Sequence, residues 1–502
     1  MAKLTTALPL ADLAVDGDAG APLYRRLYEN LRRAILEGRL APGARLPSTR
    51  ELAAELSVSR NTVLNAFEQL LAEGYVEGQT GSGTFVSKAL PDELLNARAQ
   101  DGRASRRTAA KGRLLSRRGL LLANTPVSAL NPHVRGLRPF RVGVPALDVF
   151  PYETWSKILQ RHWRRPRREM FATGDPAGYL PLREAIASYL GAARAVRCTP
   201  EQVIVVTGTQ QAVDILARVL LDPGDSVWVE DYGYIAARSS LVAAGARLVP
   251  VPVDEEGINV REGERLCARA RLAYVAPSHQ YPLGVTLSLA RRLELLEWAS
   301  RAGAWVVEDD YDSEFRYAGR PLAAMQGLDA EGRVIYLGTF SKVLFPSLRM
   351  GYMVVPLDMA ESLRNARALV GWCSPVVDQA VVADFINEGH FARHIRRMRT
   401  LYAERQAALV EAARESLGGL LEINPADAGL HLVGWLPEGT DDRAASDAAA
   451  AQGLQTQPLS AFGVRDGDRR AGLVLGYAAF DEREIREGVK RLRTALSQYR
   501  LR

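Results

Sequence analysis

The 502-residue chain reads as a multidomain protein: an N-terminal winged helix-turn-helix, then a much larger α/β domain with a mainly parallel sheet. Two observations predict this. Residues 22–88 carry three helical signatures, then two short strand signatures around a glycine-rich turn, and helix, short turn, helix, hairpin is the winged layout. From about residue 136 onward, helical stretches alternate with short β-branched runs, the pattern of a parallel sheet covered by helices. With 47% hydrophobic residues, a chain of this length has material for two or three domains and a sizeable core.

In the first domain, Leu23, Leu27, Leu31, Ile35 and Leu36 recur at helical spacing, and the helix stops near Gly38. Ser48, with Glu51 three residues on, forms a capping box that starts a second helix running from 49 to about 56. Ser57 and Val58 make a tight turn. Ser59 caps a third helix from 60 to about 73, closed by Gly74. Residues 75–77 and 84–86 read as strands of a hairpin. In this layout the N-terminal residues of the last helix face base edges in the major groove. Here they are Ser59, Arg60, Asn61 and Thr62. Arginine reads guanine and asparagine reads adenine through paired hydrogen bonds, while hydroxyls suit phosphate. Arg50 on the preceding helix reaches backbone or base, and Gly81 and Gly83 leave the hairpin tip free of side-chain bulk.

The chain divides into a tail (1–20), the winged domain (21–88), a basic linker (89–135) and the α/β domain (136–502). The linker holds Arg98, Arg103, Arg106, Arg107, Lys111, Arg113, Arg117 and Arg118 against few acids; a solvated tether explains it better than a specific nucleic-acid arm. In the α/β domain, residues 203–206, 226–229, 272–275, 305–307, 333–337 and 352–355 read as strands.

Four separated pieces of that domain outline a pyridoxal phosphate site. Val205 through Gln211 run from a strand through Gly208 into a helix, and backbone N–H groups at a helix start bind phosphate. Trp305 through Tyr311 end a strand in carboxylates, one of which suits a protonated pyridine nitrogen. Gly338-Thr339-Phe340-Ser341-Lys342 places a lysine after an apolar strand and two hydroxyls, where it can form a Schiff base with an aldehyde. Arg349, seven residues on, reaches the same phosphate. Singly the pieces are weak: a lysine after a strand is usually a surface lysine, Asp309 and Asp310 serve equally as loop caps, and residues 339–342 loosely match a serine-hydrolase SxxK motif that no partner motif accompanies. The ordered set is far more specific.

The N-terminal text Leu46-Pro47-Ser48-Thr49-Arg50-Glu51-Leu52-Ala53, Val58-Ser59-Arg60-Asn61-Thr62-Val63 and Gly81-Ser82-Gly83-Thr84-Phe85-Val86 resembles the GntR family of regulators. Taken with Gly174 through Tyr179, Pro277 through Pro282, Asp309 through Tyr317 and Leu475-Gly476-Tyr477-Ala478, the whole from Pro22 onward resembles the MocR subfamily, in which a GntR domain joins a fold-type-I aminotransferase-like domain. The resemblance implies DNA contacts from Arg50, Ser59, Arg60, Asn61 and Thr62, with Gly81 in the wing. It implies pyridoxal 5'-phosphate with Lys342 in the internal aldimine, Asp309 at the pyridine nitrogen and Tyr311 at the ring hydroxyl. Thr209, Gln210, Thr339, Ser341 and Arg349 would surround the phosphate, and Tyr234 would stack on the ring. Three departures stand out: Tyr232 where a proline is usual, Thr173 where a tyrosine reaches the partner subunit's phosphate, and Ala461 where an arginine clamps a substrate carboxylate. Arg465, Arg469 and Arg470 are candidate substitutes for that clamp.

The implied function is transcription regulation by a homodimer that binds an operator in double-stranded DNA and senses pyridoxal phosphate, or an amine or amino acid joined to it, in vitamin B6, amino-acid or amine metabolism. The rivals are an active aminotransferase carrying a DNA-binding module and a cofactor-free dimerisation scaffold; Lys342 and Asp309 argue against the scaffold. A net charge of +6 (64 Lys and Arg against 58 Asp and Glu) points to no partner by itself. Cys198, Cys267 and Cys373 lack disulfide or zinc spacing and read as small buried thiols, and no metal site is expected. No signal peptide or membrane-spanning run is visible, so a cytoplasmic protein is expected. His279 is the histidine expected near the cofactor, in a packing or hydrogen-bonding role, and 393–405 reads as a solvated helix face.

Overall fold

The computed structural model describes residues 21–79, 82–88, 90, 115–126, 136–319, 322–465 and 470–500. The chain forms two compact units, Met1–Leu115 and Ser116–Arg502. In the first, α1 (Leu23–Leu36), α2 (Thr49–Glu55) and α3 (Arg60–Ala72) precede the antiparallel hairpin β1 (Val76–Gln79) and β2 (Gly83–Val86), with Val76 opposite Val86. Leu27, Leu31 and Ile35 of α1 pack with Leu52, Val63, Phe67 and Leu70. Leu23 and Leu36, expected on the same stripe, are exposed. Positions 27, 31 and 35 stack at four-residue intervals, whereas Leu36 is turned about 100° from Ile35. The turn between α2 and α3 passes through Ser57 in the left-handed region (φ 52°), and Gly74 (φ 80°) follows the C-cap Glu73.

The second unit is built on a seven-stranded sheet: β3 (Val203–Val206), β4 (Ser226–Glu230), β5 (Arg247–Val251), β6 (Leu272–Val275), β7 (Trp305–Asp310), β8 (Val334–Thr339) and β9 (Gly351–Val354), in the order β3-β9-β8-β7-β6-β4-β5. The sheet is parallel except for β9, which runs antiparallel to both neighbours. Strands β6 and β8, and the edge strand β3, are buried end to end, which is why they read as continuous apolar runs rather than alternating ones. Strand β5, with Arg247 and Pro250, carries no such run. A second, antiparallel sheet follows: β10 (Glu422–Ile423), β11 (His431–Trp435), β12 (Gln457–Pro458) and β13 (Gly472–Gly476), in the order β10-β11-β13-β12.

Within the stretch read as linker, α4 (Arg117–Asn124) is capped by Ser116, whose hydroxyl accepts the Gly119 N–H at 2.9 Å. Two expectations are corrected. The three cysteines are free but half-buried rather than buried. Arg405, on the expected solvated face, is buried and donates to the Ala478 carbonyl (2.6 Å) and Asp148 (2.7 Å); Arg393, Arg396 and Arg397 are exposed as expected. None of the described helices is long and apolar enough to cross a membrane.

Candidate cofactor cavity and recognition helix

Ligands of open α/β sheets bind beyond the carboxyl ends of the strands, and the four sequence pieces meet there. Strand β3 passes through Thr207 and Gly208 into α5 (Thr209–Leu220). Gly208 lies at φ 136°, open to glycine, and a Cβ there would come within 3.4 Å of the Arg349 guanidinium. The Gln211 side chain accepts the Thr207 N–H (2.9 Å) and shapes the turn. Strand β8 ends at Thr339, whose hydroxyl accepts the Ser341 N–H (3.1 Å) and bends the chain ahead of Lys342. Arg349 itself sits in the left-handed region (φ 48°), a conformation disfavoured for a non-glycine residue. Thr209, Gln210, Tyr234, Asp309, Tyr311, Thr339, Ser341, Lys342 and Arg349 all line one cavity of about 260 Å³.

Side chains alternate along a strand, and β7 uses this to give its two carboxylates different tasks. Asp310 Oδ2 is tied to buried partners away from the cavity, Arg194 Nε at 2.9 Å and the Tyr336 hydroxyl at 2.6 Å, and its Oδ1 has no partner among the described residues. Asp309 faces the cavity. The Tyr274 hydroxyl donates to its Oδ2, whereas its buried Oδ1 has no partner among the described residues. Burial raises Asp309 to about 7, with Asp310 adding to the rise and Tyr274 opposing it. A buried oxygen without a donor is costly, and the protonated nitrogen of a pyridine ring is a donor of the kind Oδ1 lacks.

Lys342 Nζ donates to the Gly143 carbonyl at 2.9 Å. A Cβ on Gly143 would lie 2.6 Å from that nitrogen, so glycine is what lets the backbone approach. Burial lowers the Lys342 ammonium below its ordinary value, against the pull of Asp312 and Asp309; a neutral amine is the nucleophilic form. Tyr234 stands at the cavity with its ring edge-on to Tyr281, centroids 6.1 Å apart. Hydroxyls, a helix start and an arginine for a phosphate, a lysine for an aldehyde and an unpaired carboxylate oxygen for a pyridine nitrogen form a donor set that fits pyridoxal phosphate.

Sequence reasoning missed Gly143, Glu230, Tyr274, Tyr281, His431 and Gln457, which line the same cavity. Glu230 ends a strand as Asp309 does and was the legible one; burial raises it to about 8. His431 and Gln457 come from the second sheet and carry no local signal. His279 is buried beside Tyr311, its Nδ1 2.9 Å from the Tyr311 hydroxyl. Of the departures, Tyr232 is half-buried and Thr173 exposed. Ala461 lies in a 3-10 turn, Leu459–Phe462, from which Phe462 reaches the cavity. Arg470 is bound to Glu422 (2.7 Å) and stacked over Trp435 (4.9 Å). The Arg465 backbone N–H donates to Asp231 (3.0 Å), and Arg469 lies outside the described residues. Among the described residues, Lys342 and Arg349 are the Lys and Arg side chains lining the cavity.

In the N-terminal unit the capping box forms as read: Ser48 accepts the Glu51 N–H, and the Ser48 N–H donates to the Glu51 carboxylate (2.9 Å). Ser59 Oγ accepts the Thr62 N–H (3.1 Å) and lies 2.8 Å from Thr62 Oγ1, so two of the candidate hydroxyls also hold the start of α3. Arg50, Ser59, Arg60 and Asn61 are exposed and Thr62 is half-buried. Gly81 lies outside the described residues. Arg45 was missed: it bridges to Phe85 of β2, and a Cβ on Gly83 would sit 3.0 Å from its Nε, an exposed cation at the wing.

Residues 23–86 match the gntR family of bacterial regulatory proteins, and 145–492 match aminotransferase class I and II. The chain is 46% identical over 96% of its length to the probable rhizopine catabolism regulatory protein MocR of Rhizobium meliloti, 95% of which is covered. It is 31% identical over 97% of its length to the pyridoxine biosynthesis transcriptional regulator PdxR of Corynebacterium glutamicum, 99% of which is covered. Among solved structures, the α-aminoadipate aminotransferase LysN of Thermus thermophilus, complexed with N-(5'-phosphopyridoxyl)-L-leucine, is similar to 76% of the chain at 30% identity, with 98% of that protein covered and a TM-score of 0.70. Relatives matched along almost the whole chain are regulators, which favours regulation over an aminotransferase that happens to carry a DNA-binding module. The chain therefore belongs to the MocR-type GntR transcriptional regulators, a gntR helix-turn-helix joined to an aminotransferase of class I and II fold.

Proposed function

We propose that this regulator binds pyridoxal 5'-phosphate in the cavity at the carboxyl edge of the sheet, and that the state of that cavity sets how the N-terminal domain binds its operator. The effector is the cofactor itself or an amine or amino acid that reacts with it. Bound there, the cofactor supplies an aldehyde that condenses with amines. Lys342 presents a desolvated amine to it. Asp309 would accept from the pyridine nitrogen through its unpaired Oδ1, Tyr311 would serve the ring hydroxyl and Tyr234 the ring itself. Thr209, Gln210, Thr339, Ser341 and Arg349 hold the phosphate. The observation that carries this reading is the partnerless Asp309 Oδ1 in the cavity that Lys342 and Arg349 also line.

At the other end, Arg50, Ser59, Arg60, Asn61 and Thr62, with Gly81 in the wing, contact the operator. Residues 21–88 read DNA, 89–135 tether and 136–502 sense. The active form is a homodimer, and a concentration-independent monomer in sedimentation with cofactor bound would contradict that. The central test is an absorbance spectrum of the purified chain with added pyridoxal phosphate, followed by titration with candidate amines and by operator binding at each stage. A new absorbance band that shifts with one class of amine, together with a change in operator affinity, is expected. No band, or a band whose shifts leave DNA binding untouched, would overturn the reading.

A further inference from the structure

We propose that Asp312 and His279 form a buried relay that fixes the direction of the Tyr311 hydroxyl, so that this hydroxyl donates into the cavity rather than back into the protein. The proposal rests on the cofactor reading for its consequence, but not for its geometry.

Tyr311 lines the cavity, whereas His279 and Asp312 stand behind it. Both are buried. His279 Nδ1 lies 3.0 Å from Asp312 Oδ2 and 2.9 Å from the Tyr311 hydroxyl. A carboxylate accepts hydrogen bonds, so the proton between Asp312 and the imidazole belongs on Nδ1. The same N–H then faces the tyrosine oxygen. A hydroxyl oxygen that receives a proton on one side turns its own proton to the other, which here is the cavity. Were Nδ1 the bare nitrogen, Tyr311 would donate backward to it and present only lone pairs to a ligand. Asp312 decides between the two.

The far side of the ring agrees. His279 Nε2 is buried and has no hydrogen-bond partner among the described residues. An unpartnered buried N–H is rarer than an unpartnered acceptor, which again puts the proton on Nδ1. The neighbouring His431, its ring 5.3 Å away, donates Nε2–H to the Pro282 carbonyl (3.0 Å), and burial lowers it to about 3, so it stays neutral. Backbone pins the imidazole: a Cβ on Gly429 (φ 101°) would fall 2.1 Å from His279 Cε1, and one on Gly284 would fall 3.3 Å from Nε2. The other titratable groups facing the relay are Asp309, Glu230 and Tyr281 toward Tyr311, Lys342 toward both Asp312 and His431, and Asp309, Tyr317 and Tyr477 toward Asp312.

A hydroxyl aimed into the cavity stabilises negative charge on the cofactor's ring oxygen and favours the deprotonated form of the loaded protein. His279 and Asp312 are therefore positioning residues acting through Tyr311. Two measurements test this. In the full chain labelled with 15N-histidine and free of cofactor, the His279 signal, assigned by its loss in His279→Asn, should show a protonated Nδ1. An Nε2-protonated tautomer overturns the relay whether or not cofactor binds. In the chain loaded with pyridoxal phosphate, the pH midpoint of the absorbance change should rise by about one unit in His279→Leu, a tenfold change in the protonation equilibrium. His279→Asn, whose amide N–H stands in for Nδ1–H, should bring it back toward wild type. Equal shifts in both variants, or none in either, would mean that the ring merely packs. A wild-type chain that takes up no cofactor would sink the proposed function and the relay's consequence, while the tautomer would still judge its geometry.

Discussion

Replacing Asp309 by Asn should stabilise the cofactor-free protein at alkaline pH while removing its hold on the cofactor. Burial raises Asp309 from 3.8 to about 7. In the unfolded chain it loses its proton near 3.8; in the folded chain it keeps it to about 7. Folding therefore takes up a proton between these values, and the folded state loses stability as pH rises through that window, by ~1.4 kcal/mol per unit. The cost is ~2 kcal/mol near pH 5 and ~4 kcal/mol near pH 8. Asparagine cannot ionise and escapes this cost. It can still accept from Tyr274, but its amide hydrogens lack an acceptor, a penalty of ~1–2 kcal/mol. Subtraction leaves Asp309→Asn about equal to wild type near pH 5 and ~2 kcal/mol more stable near pH 8. Glu230 and Glu308, raised by burial to about 8 and about 7, are present in both proteins and largely cancel in the difference. The assay is denaturant unfolding of both proteins without cofactor at the two pH values, followed by cofactor titration. A variant destabilised equally at both pH values would show that Asp309 does not carry this desolvation cost, and the argument for a ligand that relieves it would fall.

Lys342→Ala removes the nucleophile and little packing, so the variant should fold normally and lose the borohydride-reducible cofactor adduct; an unchanged adduct would place the Schiff base elsewhere. Arg60→Ala should cost ~1–3 kcal/mol on operator DNA and relax specificity at one position. Substitutions of arginines in 103–118 should instead weaken operator and scrambled DNA alike and flatten the salt dependence, and equal losses on both DNAs for Arg60→Ala would pass base reading to Asn61 or Arg50. Arg194→Met strands Asp310, which is 1% exposed at its side chain and 2.8 Å from the guanidinium. That should cost ~3–5 kcal/mol in denaturant unfolding, and a loss under ~1 kcal/mol would mean that Tyr336 alone satisfies the carboxylate.

The sequence by itself determined what local rules govern. The Ser48 and Ser59 caps close hydrogen bonds within three residues, so α2 and α3 were legible to within a residue or so at each end. The six β-branched runs became strands because each is buried on both faces and needs no partner's identity to be recognised. The nine residues read from the sequence that line the cavity sit in or close to the ends of strands, Arg349 two residues ahead of antiparallel β9, and these ends share one edge of the sheet. Only the tertiary structure decided what depends on distant partners. It turned β9 antiparallel within the parallel sheet, brought His431 and Gln457 from a second sheet to the cavity, and buried Arg405 against Asp148, 257 positions away in the chain. It also chose which of two adjacent aspartates meets the cavity. Alternation guarantees that Asp309 and Asp310 face opposite sides of β7, but the side holding Arg194 and Tyr336 is set by the packing of neighbouring elements. Short-range hydrogen bonding and burial leave a periodic trace in the text; the pairing of buried polar groups far apart in the chain leaves none.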